Sequence, residues 1–295
     1  MISNKFPTKD ISQEDLKTKL KLASKKNEKS HIVKIKKNIF FSKETLPIIA
    51  GPNTLENESL ILKCCELMEK LNLKFLRGAI YKPLTFPYRS KKYFELGDKG
   101  IKILEKIKKN FDVIIVTEIL EKEKLEALRD VVDIYQIGSR NMQNFNLIQD
   151  VAKTKKPMIL KRHYGASLRD LMASAEYALH AGNQKIILCE RGVSIPHTHK
   201  DTSRFALDLQ AIPALNEYCK LPVISDPSHA CFWHRWVPQL AEASVSVGAD
   251  GLIIEFHPDP RNSAVDPLQA INFKQFKNLV ERVKILAEFY GRKIL

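Results

Sequence analysis

The sequence predicts an α/β protein, a closed (β/α)8 barrel (TIM barrel) preceded by a short N-terminal arm and a β-hairpin. Two observations support this prediction. Eight short apolar segments alternate with amphipathic stretches over about 210 residues. Polar and charged side chains also follow each apolar segment, at the end of the barrel where such folds carry their chemistry. A doubly wound open sheet is the alternative, but the number of segments favours the barrel.

The first 46 residues precede the predicted barrel. Residues 1–30 are polar and rich in lysine, with a weak helical pattern over residues 13–24. Residues 31–35 and 39–41 are rich in apolar residues and flank Lys36-Lys37-Asn38, which predicts a hairpin. We therefore divide the chain into residues 1–46, the arm and hairpin, and residues 47–295, the barrel.

Each barrel strand is predicted from a short apolar run bounded by polar or turn-forming residues. The predicted strands cover residues 47–50, 75–77, 113–117, 134–137, 158–161, 186–189, 223–225 and 252–255. Amphipathic stretches predict helices over residues 59–70, 141–152, 167–180, 205–218, 236–247 and 273–291. The last of these helices is expected to close the barrel.

Length and composition indicate an ordinary globular chain. It has 295 residues, of which 44% are hydrophobic and 28% are charged, enough to bury a large core. A run of about 18 apolar residues is missing, so we expect no membrane span. The N-terminus also lacks the apolar segment of a signal peptide, so we expect a cytoplasmic protein. The five cysteines lack a Cys-x-x-Cys pair, which favours reduced thiols over a disulfide frame or a zinc site.

The formal net charge of +14 suggests either nucleic acid or anionic small molecules as partners. Much of the lysine is scattered over residues 17–37, 91–109 and 121–124, a distribution typical of a solvated surface. A basic motif with interleaved aromatic residues does not accompany this charge. We therefore expect no nucleic-acid partner.

The ends of the predicted strands bring polar side chains to one rim of the barrel. These residues are Asn53, Arg77, Lys82, Glu118, Gln136, Arg140, Lys161, Arg162, Glu190, Arg191, Asp226, His229, Glu255 and His257. Six of them are cations, which predicts an anion site because Arg forks match carboxylate and phosphate oxygens in pairs. Gly138 and Ser139 add backbone N–H groups near a helix start, where phosphate is stabilised. A salt-bridge ring with Glu118, Glu190 and Asp226 is the alternative.

A second group of residues is of the types that bind divalent cations. His229, Glu255 and Asp266 offer the nitrogen and oxygen donors that such ions use. Their spacing alone is weak support, because His229 could equally be a buried, hydrogen-bonded residue. His257 precedes a proline and is expected to support its loop rather than bind metal.

Seven motifs follow one another, between about residues 47 and 266, in an order that resembles one family. They are Ile49-Ala-Gly-Pro-Asn53, Arg77-Gly with Lys82-Pro-Leu-Thr85, Gln136-Ile-Gly-Ser-Arg140, Leu160-Lys-Arg162, Cys189-Glu-Arg-Gly192, Asp226-Pro-Ser-His-Ala230 and Ile254-Glu-Phe-His-Pro258. The chain resembles the 3-deoxy-arabino-heptulosonate 7-phosphate (DAHP) synthases of the short bacterial branch, and the related 3-deoxy-manno-octulosonate 8-phosphate synthases.

The resemblance implies a transferase of aromatic amino acid biosynthesis on a (β/α)8 barrel. It would condense phosphoenolpyruvate (PEP) with an aldose phosphate, release inorganic phosphate and form a homo-oligomer. The implied PEP site consists of Arg77, Lys82, Gly138, Ser139, Arg140, Lys161 and Arg191. Within it Arg77, Lys82 and Lys161 would meet the carboxylate side and bridging region of PEP, and Arg140 and Arg191 its phosphate. Lys161 is also the candidate proton donor.

The first departure from the family concerns the metal. Metal-dependent members end the first strand in Ala-Gly-Pro-Cys, and the thiolate joins residues that match His229, Glu255 and Asp266. Here Asn53 stands in that place, as in the metal-independent octulosonate synthases, and an amide is a poorer partner for Mn, Zn, Fe or Co. We therefore expect metal to be weakly bound or dispensable. Asn53 is expected to orient substrate beside Lys161 and His229 as the catalytic residues.

The second departure concerns the acceptor. Leu84 replaces an Arg that holds the acceptor's phosphate in heptulosonate synthases, and Phe232-Trp233-His234 replaces a Gly-Arg-Arg-like stretch. Both changes remove cations, so a different or non-phosphorylated aldehyde is one hypothesis. Alternatively, the phosphate contact comes from Arg89, Lys91, Lys92 or Arg235. A third possibility is a degenerate barrel that binds an anion or a partner without turnover.

Overall fold

Eight parallel strands close into a barrel, as the sequence predicts. The structure is a computed structural model that describes residues 11–25, 30–82, 96–196, 199 and 205–295. Its strands are β1 (Val33–Lys36), β2 (Ile39–Phe41), β3 (Thr45–Leu46), β4 (Ile48–Gly51), β5 (Phe75–Arg77), β6 (Ile114–Glu118), β7 (Ile134–Ile137), β8 (Met158–Lys161), β9 (Ile186–Glu190), β10 (Val193–Ser194), β11 (Phe205–Ala206), β12 (Val223–Ser225), β13 (Leu252–Glu255) and β14 (Lys293–Ile294).

Helices surround this barrel. They are α1 (Gln13–Thr18), α2 (Glu58–Lys70), α3 (Asp98–Asn110), α4 (Leu125–Leu128), α5 (Phe145–Lys153), α6 (Leu168–His180), α7 (Ala211–Tyr218), α8 (Pro227–Cys231), α9 (Val237–Ser246) and α10 (Phe273–Phe289). Short 3₁₀ turns cover Lys122–Lys124, Ser139–Asn141 and Pro260–Asn262. Throughout the described ranges, each helix is too short or too polar to cross a membrane.

The barrel follows the order β4-β5-β6-β7-β8-β9-β12-β13 and closes between β13 and β4. In its register Lys161 lies beside Cys189, Glu190 beside Ser225, and Glu255 beside Gly51. The strands are parallel, so the polar residues at their C-terminal ends share one rim, which we call the mouth. The predicted (β/α)8 architecture is thus confirmed.

Alternation of side chains along each strand divides the apolar core into two parts. The inner cluster fills the barrel with Ile49, Phe75, Ile114, Val116, Ile134, Ile159, Ile187, Cys189, Ile224 and Ile253, joined by Val33 and Phe41. The larger outer cluster packs the opposite faces of the strands against the helices. Both faces of the strands are therefore buried, which explains why the strands are continuous apolar runs.

The predicted hairpin closes the N-terminal end of the barrel. β1 and β2 pair antiparallel, with Val33 opposite Phe41. Both side chains are fully buried, and the Phe41 ring meets the edge of Phe75 at a centroid distance of 5.4 Å. The hairpin prediction is confirmed, and its apolar side chains seal the end opposite the mouth.

The N-terminal arm packs on the outside of the barrel. α1 is shorter than the predicted helix over residues 13–24, and Ser12 caps it through a reciprocal contact with Asp15. Leu20 is buried in the outer core. Arg169 of α6 donates two hydrogen bonds to Asp15, at 3.2 and 3.0 Å. These contacts join the arm to α6.

The predicted helix over residues 205–218 is wrong in its first part. Phe205–Ala206 pairs with Val193–Ser194 as a small antiparallel ladder above the barrel, and α7 begins only at Ala211. Pro213 lies in the first turn of α7, where its missing N–H costs no helical hydrogen bond. The amphipathic pattern therefore includes two residues, Phe205 and Ala206, that form a strand because they pair with Val193–Ser194.

Candidate active site

Asn53 is the centre of a hydrogen-bonded group at the mouth. It follows β4 and is buried. Its Oδ1 accepts hydrogen bonds from Arg77 Nη2 at 2.9 Å and from Lys82 Nζ at 2.7 Å. Its Nδ2 donates to Asp266 Oδ2 at 2.9 Å. The structure thus brings Asn53 together with two cations of the predicted PEP site and one predicted metal ligand.

A second group consists of Lys161, Asp226 and His229. Lys161 Nζ donates to Asp226 Oδ2, while the backbone N–H of His229 and its Nδ1 lie 3.0 and 3.1 Å from Asp226 Oδ1. Burial would raise the pKa of Asp226, but His229 and Lys161 hold it well below its usual range. Burial also lowers the pKa of His229 well below its ordinary value, so its ring is neutral near pH 7. This group therefore holds one buried carboxylate between a lysine and a neutral imidazole.

Glu255 joins the two groups. Its Oε2 lies 3.6 Å from Arg77 Nη1 and 3.8 Å from His229 Nε2. Burial raises the pKa of Glu255 to about 8, although Arg77 opposes this shift. Gln269 Nε2 donates to the same Oε2. Gln269 was not identified from the sequence. The one feature that could have marked it is a polar amide directly before the apolar residues Ala270 and Ile271.

The predicted metal ligands do not form a metal site in this arrangement. Glu255 is engaged by Gln269 and lies near Arg77, whereas Asp266 faces the amide of Asn53. Across the residues that the structure covers, no group of three His, Cys, Asp or Glu side chains is placed to hold a metal ion. In this arrangement Glu255 and Asp266 are therefore hydrogen-bonded to Gln269 and Asn53 rather than grouped with His229 around one point.

Lys82 also lies near Glu118, at the end of β6. Lys82 Nζ is 3.8 Å from Glu118 Oε2, and burial lowers the pKa of Lys82 while Glu118 opposes the shift. The other carboxylate oxygen lies against Gly138, where a Cβ would come within 1.9 Å of it. Only glycine fits there. Ser139 begins the adjoining 3₁₀ turn, and Arg140 on that turn is exposed.

Arg191 borders the second group. Its Nη2 donates to the backbone oxygen of His229 at 3.0 Å. Its guanidinium carbon lies 4.3 Å from the centre of the Phe205 ring. A guanidinium packed over an aromatic ring keeps its N–H edge available to an anion. The structure thus places Arg191 beside the backbone of His229 and the ring of Phe205.

Arg162 does not join the other rim cations. Its Nη1 donates to Glu190 Oε2 at 2.9 Å and to Asp208 Oδ2 at 2.8 Å. Arg162 is therefore not directed at a ligand, and five of the six predicted cations remain candidates for the anion site. The salt-bridge alternative holds in part, because Glu118, Glu190 and Asp226 each pair with a rim cation.

The remaining predicted residues lie around the mouth. His257 Nε2 is 3.3 Å from Glu56, whose carboxylate also accepts the Ala264 N–H at 2.9 Å, so His257 supports its loop. Phe232 adopts a left-handed φ of 53°, and Trp233 beside it is half-buried. Four residues that concern the acceptor lie outside the described residues. They are Leu84, which departs from the family, and Arg89, Lys91 and Lys92, which are candidates to contact the acceptor's phosphate.

Known proteins resemble this chain over most of its length. A phospho-2-dehydro-3-deoxyheptonate aldolase of Thermotoga maritima is 38% identical over 247 residues, which cover 84% of this chain and 71% of that protein. A 2-dehydro-3-deoxyphosphooctonate aldolase of Legionella pneumophila is 29% identical over 260 residues, covering 83% and 93%. The crystal structure of the Thermotoga maritima DAHP synthase superposes with a TM-score of 0.86 at 34% identity, covering 93% and 78% of the two chains.

A truncated form of the same Thermotoga enzyme superposes with a TM-score of 0.84 at 32% identity, and the match covers 94% of this chain and all of the truncated one. The family described as the DAHP synthetase I family matches residues 26–289. That range includes the whole barrel and every residue of the two hydrogen-bonded groups at the mouth. The chain therefore belongs to the DAHP synthetase I family.

Proposed function

We propose that the protein condenses PEP with an aldose phosphate and releases inorganic phosphate, as a DAHP synthase does. Family membership supports the reaction class. The observation that carries the proposal is the convergence of Arg77, Lys82, Lys161 and Arg191, from the ends of the three strands β5, β8 and β9, on one buried mouth. A small substrate with both a carboxylate and a phosphate matches that concentration of positive charge.

The reaction needs charge stabilisation at both ends of PEP. C3 of PEP forms a bond to the aldehyde carbon, C2 becomes electron-poor and takes up water, and the bond between C2 and the phosphate oxygen then breaks. We assign Arg77 and Lys82 to the carboxylate side. Arg191, with Arg140 and the N–H groups of Gly138 and Ser139, is assigned to the departing phosphate.

Lys161 is the proposed proton donor. It is buried, and its Nζ is held by Asp226, which in turn holds His229. A lysine fixed in this way can donate a proton to the aldehyde oxygen as that atom gains charge. His229 faces the same space and, being neutral, can accept or orient a hydrogen bond there.

We also propose that a divalent metal is dispensable for this protein. The support is the amide of Asn53, whose oxygen accepts hydrogen bonds from Arg77 and Lys82 while its nitrogen donates one to Asp266. Should an ion such as Mn, Zn, Fe or Co bind, the candidates to hold it are His229, Glu255 and Asp266. Asn53 has the separate role of keeping the two cations in place for substrate.

A different acceptor is the second candidate function. It is favoured by Phe232 and Trp233, which supply aromatic surface in place of the cations of the Gly-Arg-Arg-like stretch in the family. Trp233 is half-buried. An aldehyde that lacks a phosphate, or carries its phosphate at another distance from the aldehyde carbon, would suit this aromatic surface. Arg235 is exposed, with its guanidinium carbon 5.9 Å from the Trp233 ring, and offers a phosphate contact if the acceptor is the usual one.

One assay separates these functions. PEP loss and phosphate release would be followed with erythrose 4-phosphate, a pentose 5-phosphate and their non-phosphorylated analogues, each with and without a chelator. We expect turnover of erythrose 4-phosphate that the chelator does not abolish. Turnover of only the pentose 5-phosphate, or of only the non-phosphorylated aldehydes, would establish the second candidate, and absence of turnover with every aldehyde would establish a degenerate barrel.

Cellular location and assembly are further proposals. We propose a cytoplasmic homo-oligomer that uses small-molecule substrates, on the grounds of its family alone. Light scattering of the purified protein measures the number of subunits directly, and fractionation of the source cells measures the location.

A further inference from the structure

Two carboxylates, those of Glu190 and Asp208, neutralise the predicted rim cation Arg162. It follows Lys161, and its backbone N–H donates to the Cys189 oxygen at 2.9 Å as part of the barrel ladder. Its side chain is buried. Because successive residues of a strand point in opposite directions, Lys161 faces the mouth while Arg162 lies beneath the surrounding loops.

The contacts of Arg162 reach three different loops. Its Nε donates to the Ala166 oxygen at 2.8 Å, within the loop that precedes α6. Its Nη1 donates to Glu190 at the end of β9 and to Asp208 before α7. Asp208 in turn accepts the Ala211 N–H at 3.1 Å through its other oxygen. One guanidinium therefore fixes the loops that follow β8, β9 and β11.

The contact with Glu190 bears directly on Arg191. Glu190 is fully buried, and its Oε1 accepts the N–H of Gly192 at 2.6 Å. Glu190 thus spans Arg191 and holds the backbone on both sides of it. Burial raises the pKa of Glu190, and Arg162 opposes this shift.

The backbone at Gly192 leaves little room for adjustment. Its φ is +95°, in the region that favours glycine, and a Cβ there would lie 3.0 Å from Ala230 and 3.1 Å from Phe205. The contact on the Phe205 side is made by its Cβ, and the ring of the same residue lies against the Arg191 guanidinium. A shift of the carboxylate of Glu190 would therefore move Arg191 relative to both neighbours.

From these contacts we infer that Arg162 is a positioning residue of the anion site: it acts through Glu190 and Gly192 to hold Arg191 in place, without binding the substrate itself. The inference rests on the proposed function, in which Arg191 meets the phosphate of PEP. It differs from a purely structural role because it predicts a specific loss of anion affinity.

The main test compares Arg162→Gln, Arg191→Gln and the double variant. Arg162→Gln should weaken PEP binding, measured by calorimetry and as KM, by roughly tenfold or more, because a buried carboxylate loses its partner and shifts. The value of kcat should change much less, and KM for the acceptor should stay within about twofold. The double variant should bind PEP no more weakly than Arg191→Gln alone, because both act through one contact.

Two further variants keep the test decisive if Arg162→Gln folds poorly. Arg162→Lys retains the charge but cannot reach three acceptors at once, so it should give an intermediate PEP affinity. Asp208→Asn removes only the half-exposed carboxylate and should raise KM for PEP by roughly two- to threefold. Arg169→Gln is the matched control, since it breaks another Arg–Asp pair on the outer side of α6, and PEP affinity should not change.

Several outcomes would overturn the inference. If Arg162→Lys and Arg162→Gln bind PEP as tightly as the wild type, Arg162 has no positioning role. If the losses in the double variant multiply, Arg162 acts independently of Arg191. A wild-type protein that binds neither PEP nor inorganic phosphate would instead overturn the proposed function, and the inference with it.

Discussion

The two ends of the barrel are built from the same eight strands but filled in opposite ways. At the N-terminal end Val33 and Phe41 of the hairpin bury apolar surface against Phe75. At the mouth, buried charges pair with one another, as Lys161 does with Asp226 and Arg77 with Glu255. Apolar burial stabilises a fold, whereas buried ion pairs contribute little net stability after desolvation. The difference indicates that the N-terminal end maintains the barrel and the mouth serves the ligand.

Substitution of Lys161 should have the largest effect on activity. Lys161→Ala removes the proposed proton donor, so kcat should fall by roughly 10²–10⁴-fold, the usual contribution of a positioned acid or base. Asp226 keeps His229 as a partner, so the barrel should remain folded. Steady-state kinetics and circular dichroism measure the two effects.

The matched control for this variant is Lys185→Ala, which removes an exposed lysine from the opposite end of β9. Its kcat and its KM for PEP should both equal those of the wild type. A Lys161→Ala protein with undiminished kcat would show that the proton comes from another group and that the mouth is not used as proposed.

Substitution of Phe41 should have the opposite profile. Phe41→Ala leaves a cavity at the sealed end, and the free energy of unfolding should fall by about 3–5 kcal/mol. The folded fraction should keep the KM for PEP and the kcat of the wild type, because the mouth lies at the far end of the strands. Urea unfolding and kinetics at a temperature where the variant is folded measure both quantities.

Phe40→Ala provides the comparison, because Phe40 is the neighbouring residue of β2 but is only half-buried. Its destabilisation should be clearly smaller. If Phe41→Ala lowered kcat as strongly as it lowers stability, the two ends would be coupled and their separation of tasks would be wrong.

Conversion of the Asn53 amide to a thiol tests the proposal that metal is dispensable because an amide stands at this position. Asn53→Cys supplies a soft ligand beside His229, Glu255 and Asp266, so the variant should bind zinc or manganese and lose roughly tenfold or more of its activity to a chelator. The wild type should lose less than about twofold. Metal analysis after dialysis and activity with and without chelator provide the readout.

Asn53→Ser controls for the loss of the amide, since a hydroxyl is a weak ligand for these ions. It should show the KM increase expected when Arg77 and Lys82 lose their common acceptor, but no sensitivity to chelator. Equal chelator sensitivity in the wild type and in Asn53→Cys would contradict the proposal that metal is dispensable.

Sequence reasoning predicted the barrel well because each strand is a continuous apolar run that needs burial on both faces. It also placed Asn53, Arg77, Lys161 and His229 on one rim, since parallel strands end at the same edge. The sequence could not show which residues of the rim pair with one another. That Arg162 faces Glu190 and Asp208 depends on which way one strand residue turns and on a loop 46 residues away in the chain.

The same limit explains Gln269 and the first part of the helix over 205–218. Gln269 reaches Glu255 only after the chain has returned from the loop that carries Asp266, so no local pattern marks it. The segment at Phe205 has an amphipathic sequence, but a tertiary pairing with Val193 decides its structure. Long-range contacts therefore determine what local periodicity leaves open.

The ion pair between Asp15 and Arg169 should give the smallest effect and shows what a charge contributes away from both ends of the barrel. Hydrogen bonds from Arg169 hold the pKa of Asp15 below its ordinary value. A carboxyl whose pKa is lower in the folded state stabilises the protein above its unfolded pKa, near 3.9, and that contribution is lost as the pH falls through the folded pKa.

Arg169→Gln should therefore lower the melting temperature at pH 7 by no more than about 3 °C, because Arg169 reaches solvent and ion pairs at the protein surface contribute little. The difference from the wild type should shrink as the pH falls below about 4, where Asp15 becomes protonated in the unfolded chain, and it should vanish once the pH has fallen through the lower pKa of the folded state. Thermal unfolding of both proteins across this range is the measurement. A difference that grew in acid would mean that Arg169 stabilises the arm through contacts other than Asp15, and that charge outside the mouth contributes more than this pair suggests.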